Sequence, residues 1–453
     1  MTPPAQRVYR ARTVRRPRRR FKGAADKPPF RVPSMEEVRA VPWNGLTVAS
    51  TFSGGGGSCL GYRMAGYRVL WANECDPKAW ETYEANHPGS ALDRRDIKEV
   101  GPGDVLEACG LKRGELDLLD GSPPCVAFSM AGKRQRLWDE EREHAGIRQK
   151  SVDLFREYIR LVDGVRPRVF VAENVYGMIV GKAKGHFKRY FTELEALGYR
   201  TRAALLDAQW LGVPQRRRRV IIVGVRKDLG LEPAFPSPLP YRYSIQDALP
   251  WIGSVVHDTS GIFSQGECAD GLSPCITVGT NSVNSYHFKV RELEVVGNAK
   301  GFSDKIRQPV DEPSPTIVAG RKDHIALEGA PPVEDGAWLG GKMADKWDRL
   351  NPGDVDAEFF QLEKTDPAEP SSTIPAVGAA SNRAAPTHPS ERRKFSIAEL
   401  RRICGFPDDY DLRGSYAEQW ARLGNAVPPV MMLHIASAVR DRILLPWKEG
   451  TSL

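Results

Sequence analysis

Cys125 ends the run Gly121-Ser122-Pro123-Pro124-Cys125, which follows the apolar stretch Leu116 to Leu119. Two consecutive prolines forbid continuation of a helix or a ladder, so this cysteine is expected on a turn at the lip of a sheet. An open α/β sheet places its chemistry there. Taken alone, the run fits a free cysteine on an ordinary strand-to-loop turn equally well. Other reactive residue types recur at comparable positions. Glu173-Asn174-Val175 ends a strand begun at Val169, on the edge where a general acid is useful. Gln215-Arg216-Arg217-Arg218-Arg219 leads into the apolar run Val220 to Val225. In a strand Arg217 and Arg219 face one side while Arg216 and Arg218 face the other. Because that strand reads as central, one arginine pair must lie beside a buried acid or an anionic substrate. The alternative is four arginines on a solvated face.

A second group of residues suits a small anionic or hydroxylated ligand. Phe52-Ser53-Gly54-Gly55-Gly56-Gly57-Ser58-Cys59-Leu60-Gly61 follows the first strand and opens a helix. Glycines there let the backbone turn tightly and approach a ligand at the helix N-terminus. Glu74, with Asp76 close behind, ends the second strand, where an acid is the expected partner of ribose hydroxyls. Asp96-Ile97 would close an adenine site from a third strand end. Without the glycine run these acids would read as ordinary loop carboxylates.

The elements that position these groups alternate. Strands are expected at 46–52, 68–73, 116–120, 169–173, 203–207 and 220–225, with helices at 151–165 and 188–197. Continuous β-branched runs separated by helices predict an α/β, doubly wound, mostly parallel sheet covered on both faces. The chain has 453 residues, 41% hydrophobic content and a formal charge of +8. Length and composition suit a soluble globular protein of roughly two to three domains, and the charge favours a polyanionic partner. No apolar run approaches the roughly 18 residues of a spanning helix. Seven cysteines without a C-x-x-C pair argue against a disulfide framework and a structural zinc site. Reduced thiols and a cytoplasmic location are expected, with no metal.

Residues 1–40 read as a basic disordered tail. The first 22 carry eight arginines, one lysine and no acid, a pattern that self-repels and can add sequence-independent phosphate contacts. A solvated tail without a role and a transit peptide are the alternatives. Strands and helices alternate over 41–229, and the family resemblance that the chain's motifs carry implies that 396–445 return to complete the same catalytic domain. Between them, residues 230–395 turn to Pro, Gly, Ser and short β-branched runs, which predicts a smaller, irregular β-rich domain. Three segments recur in it: Leu272 to Val278, Pro313 to Val318 and Pro370 to Pro375, each read as a turn followed by a strand. The polar stretch 126–147, with Lys133, Arg134, Arg136 and Arg142, reads as a long basic loop.

In their order, the glycine loop, Asn73-Glu74, Asp96-Ile97, Pro124-Cys125, Glu173-Asn174-Val175, Gln215-x-Arg217-x-Arg219, Cys404-Gly405-Phe406-Pro407-Asp408-Asp409-Tyr410 and Gly424-Asn425-Ala426-Val427-Pro428 resemble the DNA (cytosine-5)-methyltransferase family. The resemblance covers about 46–225 and 397–439. It implies a class I S-adenosylmethionine methyltransferase fold, Rossmann-like, with a target-recognition domain. It also implies methyl transfer to ring carbon 5 of a cytosine flipped from double-stranded DNA.

By that resemblance, the Cys125 thiolate attacks ring carbon 6, aided by nearby arginines and a helix terminus that favour thiolate. Glu173 binds ring nitrogen 3 and the amine as an acid, Arg217 holds the pyrimidine carbonyl, and Arg219 shares the site. Asn174 orients the Pro124 turn, and Pro124 packs on the amine. S-Adenosyl-L-methionine is expected on Phe52, Ser53, Gly54, Gly56 and Gly57, with Glu74 on the ribose and Cys75, Asp96, Ile97, Asp120, Asn425 and Val427 around it. Residues 126–147 correspond to the loop that closes over the flipped base. The chain departs from the family pattern at Ser58, where a large apolar residue is common, and at Cys75, where an aromatic is frequent. Adenine stacking is therefore expected to be weaker or supplied elsewhere.

A tRNA cytosine methyltransferase on the same domain is the second reading, against which Cys404 lacks a following Phe-Thr. A catalytically silent DNA-binding homologue is the third, against which Cys125, Glu173, Arg217 and Asn425 are intact. A monomer on one duplex is expected, with a cognate restriction endonuclease as a possible companion.

Overall fold

The computed structural model describes residues 27–124, 151–180, 183–254, 333–334, 337–356, 362–379 and 385–450, and the short strands Arg12–Thr13, Arg142–His144, Ile147–Gln149, Val256–His257, Ile276–Val278 and Tyr286–Lys289. Cys125 and most of the 126–147 loop lie outside the described residues.

Seven strands form the body of the main sheet: β1 (Thr47–Thr51), β2 (Arg68–Asn73), β3 (Ala91–Asp93), β4 (Leu118–Gly121), β5 (Val169–Val175), β6 (Tyr199–Asp207) and β7 (Arg218–Arg226). They lie in the order β6-β7-β5-β4-β1-β2-β3, with Arg12–Thr13 beside β6. Contacts from β5 through β4, β1 and β2 to β3 are all parallel. β7 runs antiparallel to both β5 and β6. Apolar continuity identifies a buried strand but carries no information about its direction. β3 is anticipated in sequence only as a strand end ahead of Asp96, without bounds, because exposed Ala91 and half-buried Leu92 and Asp93 hold too little periodicity.

The helices are α1 (Met35–Ala40), α2 (Gly57–Met64), α3 (Pro77–Asn86), α4 (Pro102–Cys109), α5 (Ser151–Val165), α6 (Ala183–Ala196), α7 (Ile245–Ala248), α8 (Gly341–Trp347), α9 (Ile397–Ile403), α10 (Tyr416–Asn425) and α11 (Pro429–Val439). Alternate residues of the buried strands feed two cores. Val48, Leu118, Val171, Ile221 and Val223 pack under α2 and α11. Ala49, Leu119, Phe170, Ala172 and Ile222 pack under α5 and α6. At Gly61 an added Cβ would lie 2.5 Å from Met432 Cβ and 2.6 Å from the Pro429 carbonyl. Only glycine lets α11 come so close to α2, and this contact returns the end of the chain to its first strand.

The expected tail does not extend to residue 40. Ser34 and Glu37 form a reciprocal capping box that starts α1. Met35 N–H donates to Asp409 at 2.9 Å, and Lys27 pairs with Asp247 at 2.6 Å. α1 thereby shares a third core with α7, α9 and α10.

In the 230–395 region, Val256–His257 and Ile276–Val278 both pair antiparallel with Tyr286–Lys289. Of the three recurring segments, the first supplies Ile276–Val278 and the second lies outside the described residues. The third makes no strand: Ser371 forms a single parallel bridge to Gln215. Arg216 N–H donates to Ser371 O at 2.7 Å, and the Thr373 hydroxyl donates to Arg216 O at 2.7 Å. Its hydrogen bonding is spent on the core's own loop, which leaves no ladder to extend. Arg393 grips Glu399 at 2.7 and 2.9 Å, with both side chains buried. That pair closes the region onto the first turn of α9.

Met432→Ala removes the side chain that covers Gly61. We expect the free energy of unfolding to fall by about 2–5 kcal/mol, read as an earlier urea midpoint.

Candidate active site

Because β7 opposes its neighbours, its first residues lie at the carboxyl ends of β5 and β4. Arg219 is registered with Val175, and Ile221 with Glu173. Arg219 Nε reaches Glu173 Oε1 at 2.7 Å, and both side chains are nearly buried. Of the other arginine pair, Arg216 meets Glu363 at 3.2 Å while Arg218 is exposed and lies over the Tyr176 ring at 5.1 Å. Asn174 Nδ2 donates to the Pro123 carbonyl at 3.2 Å, and its Oδ1 accepts from Val175 N–H at 2.9 Å. One side chain thus fixes the Pro123-Pro124 turn to the end of β5. The next residue is Cys125, outside the described residues.

Arg217 does something other than the substrate contact expected of it. Its guanidinium is buried and donates from Nη2 to the carbonyls of Ala426 at 2.8 Å and Asn425 at 3.4 Å. These are the unpaired carbonyls at the end of α10, where a cation is favoured. Burial first and the neighbouring Arg219 next push the Arg217 pKa down to about 9, with Glu173 opposing them. Arg217 Nε is buried without a partner. The arginine that stands beside Glu173 is Arg219. Strand alternation puts both on one face but does not say which of them the returning chain will cap.

At the head of β1 the backbone is strained. Phe52 adopts φ +54°, and Gly54 and Gly56 also have positive φ, +53° and +89°. At Gly56 a Cβ would lie 2.2 Å from His87 Nε2, so the loop is shaped from outside as well as by its own conformation. Arg63 Nη1 faces His87 Nδ1 at 3.3 Å, His87 Nε2 meets the Tyr410 hydroxyl at 3.2 Å, and that hydroxyl donates to the Gly55 carbonyl. With a guanidinium on one ring nitrogen, the imidazole stays neutral. Burial and then Arg63 push its pKa down to about 3. The sequence reading took Tyr410 only as part of a motif and missed His87, whose sole local signal is its place just after α3.

Glu74 lies beside this loop. Its carboxylate accepts from Gly54 N–H at 2.7 Å and Asp76 N–H at 2.8 Å, and burial raises its pKa. Ser53 donates its hydroxyl to the Asn73 carbonyl at 3.1 Å. Cys75 is half-buried, and burial followed by Glu74 pushes its thiol up to about 12. Asp96 is half-buried on the loop after β3 and accepts from Lys98 N–H at 3.1 Å, whereas Ile97 is sunk in the core with Trp71 and Val105. Asn425 is exposed at the end of α10, and Val427 is buried against α2. Asp120, expected near the ligand, is instead 1% exposed beneath the loop. It accepts from Ser58 Oγ at 2.7 Å, Ser50 Oγ at 2.8 Å and Tyr62 OH at 3.1 Å. The alternation of β4 turns it away from the lip and under α2.

The arrangement fits a nucleoside-bearing ligand. A Cβ at Gly54 would meet nothing within 4 Å, so the loop has an open side there. Glu74 beside it is a carboxylate with lone pairs for hydroxyl donors. Among the described residues no group of His, Cys, Asp and Glu could hold a metal ion, and no helix is long and apolar enough to cross a membrane.

Comparison with known proteins gives the geometry a family. Residues 46–441 match the C-5 cytosine-specific DNA methylase model. The chain is 28% identical over 405 residues to the Type II methyltransferase M.NgoFVII of Neisseria gonorrhoeae, covering 86% of each protein. It is 36% identical over 195 residues to the Type II methyltransferase M.FnuDI of Fusobacterium nucleatum, covering 43% of this chain and 51% of that one. In fold it resembles a DNA modification methyltransferase encoded within an E. coli prophage, with a TM-score of 0.58, 20% identity and coverage of 88% and 99%. Members of this family generally use S-adenosylmethionine. With the match spanning most of its length, the chain belongs to the C-5 cytosine-specific DNA methylase family, and its activity is methylation of DNA cytosine at ring carbon 5.

Proposed function

We propose that the chain flips its target cytosine out of double-stranded DNA and that Cys125 initiates the reaction by adding to ring carbon 6. The observation that carries the reading is the convergence of the Arg219–Glu173 pair with the Asn174-held turn immediately before Cys125. Addition of the thiolate makes carbon 5 nucleophilic. Glu173 meets ring nitrogen 3 and the amine as charge develops, and Pro124 packs against that amine. Arg219 takes the carbonyl contact expected of Arg217, because the Arg217 guanidinium is turned to the carbonyls of Asn425 and Ala426. When bound, S-adenosylmethionine supplies the electrophilic methyl group. Loss of the carbon 5 proton then expels Cys125.

For the methyl donor, Gly54, Gly56 and Gly57 line its methionine side with Phe52 and Ser53, and Glu74 receives the ribose hydroxyls. Cys75 and Asp96 border the adenine; Ile97 supports that wall from the core; Asn425 and Val427 close the methionine end. Residues 41–229 with 396–445 act as the catalytic domain and 230–395 as the target-recognition domain. Arg393–Glu399 and Ser371–Arg216 weld the latter's final segment to the former. A monomer in the cytoplasm, with a cognate restriction endonuclease in the same system, completes the reading.

Expressed in a host free of DNA methylation, the wild type should mark one short motif, read by genome sequencing sensitive to modified cytosine. Cys125→Ala should leave the genome unmarked while folding normally. An unmarked genome with folded wild type would refute the reading.

Arg219→Ala should lower kcat by about 100- to 1000-fold, the loss seen when one preorganised donor is removed, and should also lower the melting temperature, because Glu173 loses its nearly buried partner. Arg217→Ala should act mainly on the fold, destabilising it by roughly 1–3 kcal/mol, as leaving the buried carbonyls of Asn425 and Ala426 without their donor does. Single-turnover kinetics and thermal unfolding of the two variants separate these roles.

A further inference from the structure

Asp120 is a buried acid that the transfer chemistry does not use, and Ser58 is one of the two positions at which the chain departs from its family pattern. The structure joins them. The Ser58 hydroxyl is directed inward to Asp120 Oδ2 at 2.7 Å, and Ser58 is 5% exposed. Three hydroxyls from two elements, Ser50 on β1 with Ser58 and Tyr62 on α2, converge on this one carboxylate. The Asp120 backbone is held too: its carbonyl accepts from Thr51 Oγ1 at 3.1 Å, and Ser122 N–H donates to Thr51 O at 3.4 Å. The next residues are Gly121 to Pro124 and then Cys125.

We propose that Asp120, gripped by Ser58, Ser50 and Tyr62, is a positioning residue of the methyl transfer: it ties the first turn of α2, and with it the donor loop, to the strand that delivers the nucleophile turn. This rests on the function proposed above. The departure at Ser58 is thereby accounted for, since its side chain is engaged beneath the loop and does not line the donor's face.

A buried carboxylate is a costly way to hold two elements together, and an apolar contact would be more stable. Burial is the main cause that pushes the Asp120 pKa up to about 6, and Glu173 adds to it while the three hydroxyls oppose. The groups facing it are Cys59 and Tyr62 on α2, Tyr158 on α5 and Glu173 on β5. Burial keeps the thiol and both phenols neutral well past pH 8. The folded protein holds the Asp120 proton more tightly than the unfolded chain does. Its contribution to stability is therefore full below the ordinary carboxyl range and is lost as pH rises through about 6. At working pH the fold carries a charge that lowers its stability, as strain retained for function does.

The test uses full-length wild type, Asp120→Asn and Ser58→Ala, with two readouts. One is the Kd of S-adenosylmethionine by calorimetry; the other is melting temperature at pH 8 and at pH 4.5. Asp120→Asn should melt at or above the wild-type temperature at pH 8, with the advantage shrinking at pH 4.5. Its donor Kd should nevertheless rise roughly 10- to 100-fold, the worth of hydrogen bonds to a charged group, while binding of target duplex stays within two-fold. Ser58→Ala should shift the donor Kd in the same direction by less. An unchanged donor Kd in both variants would overturn the proposal. So would a lower melting temperature in Asp120→Asn with equal losses for donor and DNA, the mark of a merely structural group. If Asp120→Asn fails to fold, Ser58→Ala decides by the same donor Kd. Failure of the wild type to bind the donor at all would instead count against the functional reading.

Discussion

A strand that runs against its neighbours begins where they end, and the active site depends on this constraint. Parallel strands deliver their carboxyl ends, and the loops that follow, to one edge of the sheet. An arginine run that enters a strand would lie on the far edge if β7 were parallel. Inserted antiparallel between β5 and β6, β7 brings Arg219 to the end of β5, within 2.7 Å of Glu173. A cation from a strand's start and an acid from a strand's end thus share a site with no help from flexible loops. Rigid elements hold such geometry better than loops do.

The same edge is closed by chain from far away. Arg217 is held by carbonyls at the end of α10, 208 and 209 residues along the sequence. Tyr410 reaches back 355 residues to the glycine loop. α11 covers α2 at Gly61. Each long-range contact satisfies a group that the early part of the chain leaves unpaired: a buried guanidinium, a loop carbonyl, an uncovered helix face. The final segment is therefore as much a part of the donor and nucleophile loops as the strands that carry them.

The sequence was most legible where chemistry and periodicity coincide. Arg68–Asn73 and Ser151–Val165 have the expected bounds, and the glycine loop opens α2. Glu173 and the Pro124 turn stand at neighbouring strand ends. What stayed hidden has a physical reason in each case. Strand direction leaves no mark on an apolar run. Alternation pairs Arg217 with Arg219, but only the returning carbonyls of Asn425 and Ala426 decide which is sequestered. The resemblance puts Asp120 beside the donor, yet three hydroxyls hold its carboxylate beneath the loop. α1 was readable: Ser34 and Glu37 have capping-box spacing, and the basic composition upstream drew attention from it.

The return of α11 to the first strand also bears on how the protein is made. Tyr67 donates to the Ala436 carbonyl across 369 residues of sequence. At about 5–20 residues per second on the ribosome, roughly tens of seconds separate the synthesis of those two positions. Through that interval β1, β2 and α2 lack the helix that covers them, and Arg217 lacks its carbonyls. Contacts so distant in sequence close late and slowly. A nascent chain therefore passes through a long stage in which the nucleophile turn exists but the site around it does not, and its exposed apolar face is then open to chaperones.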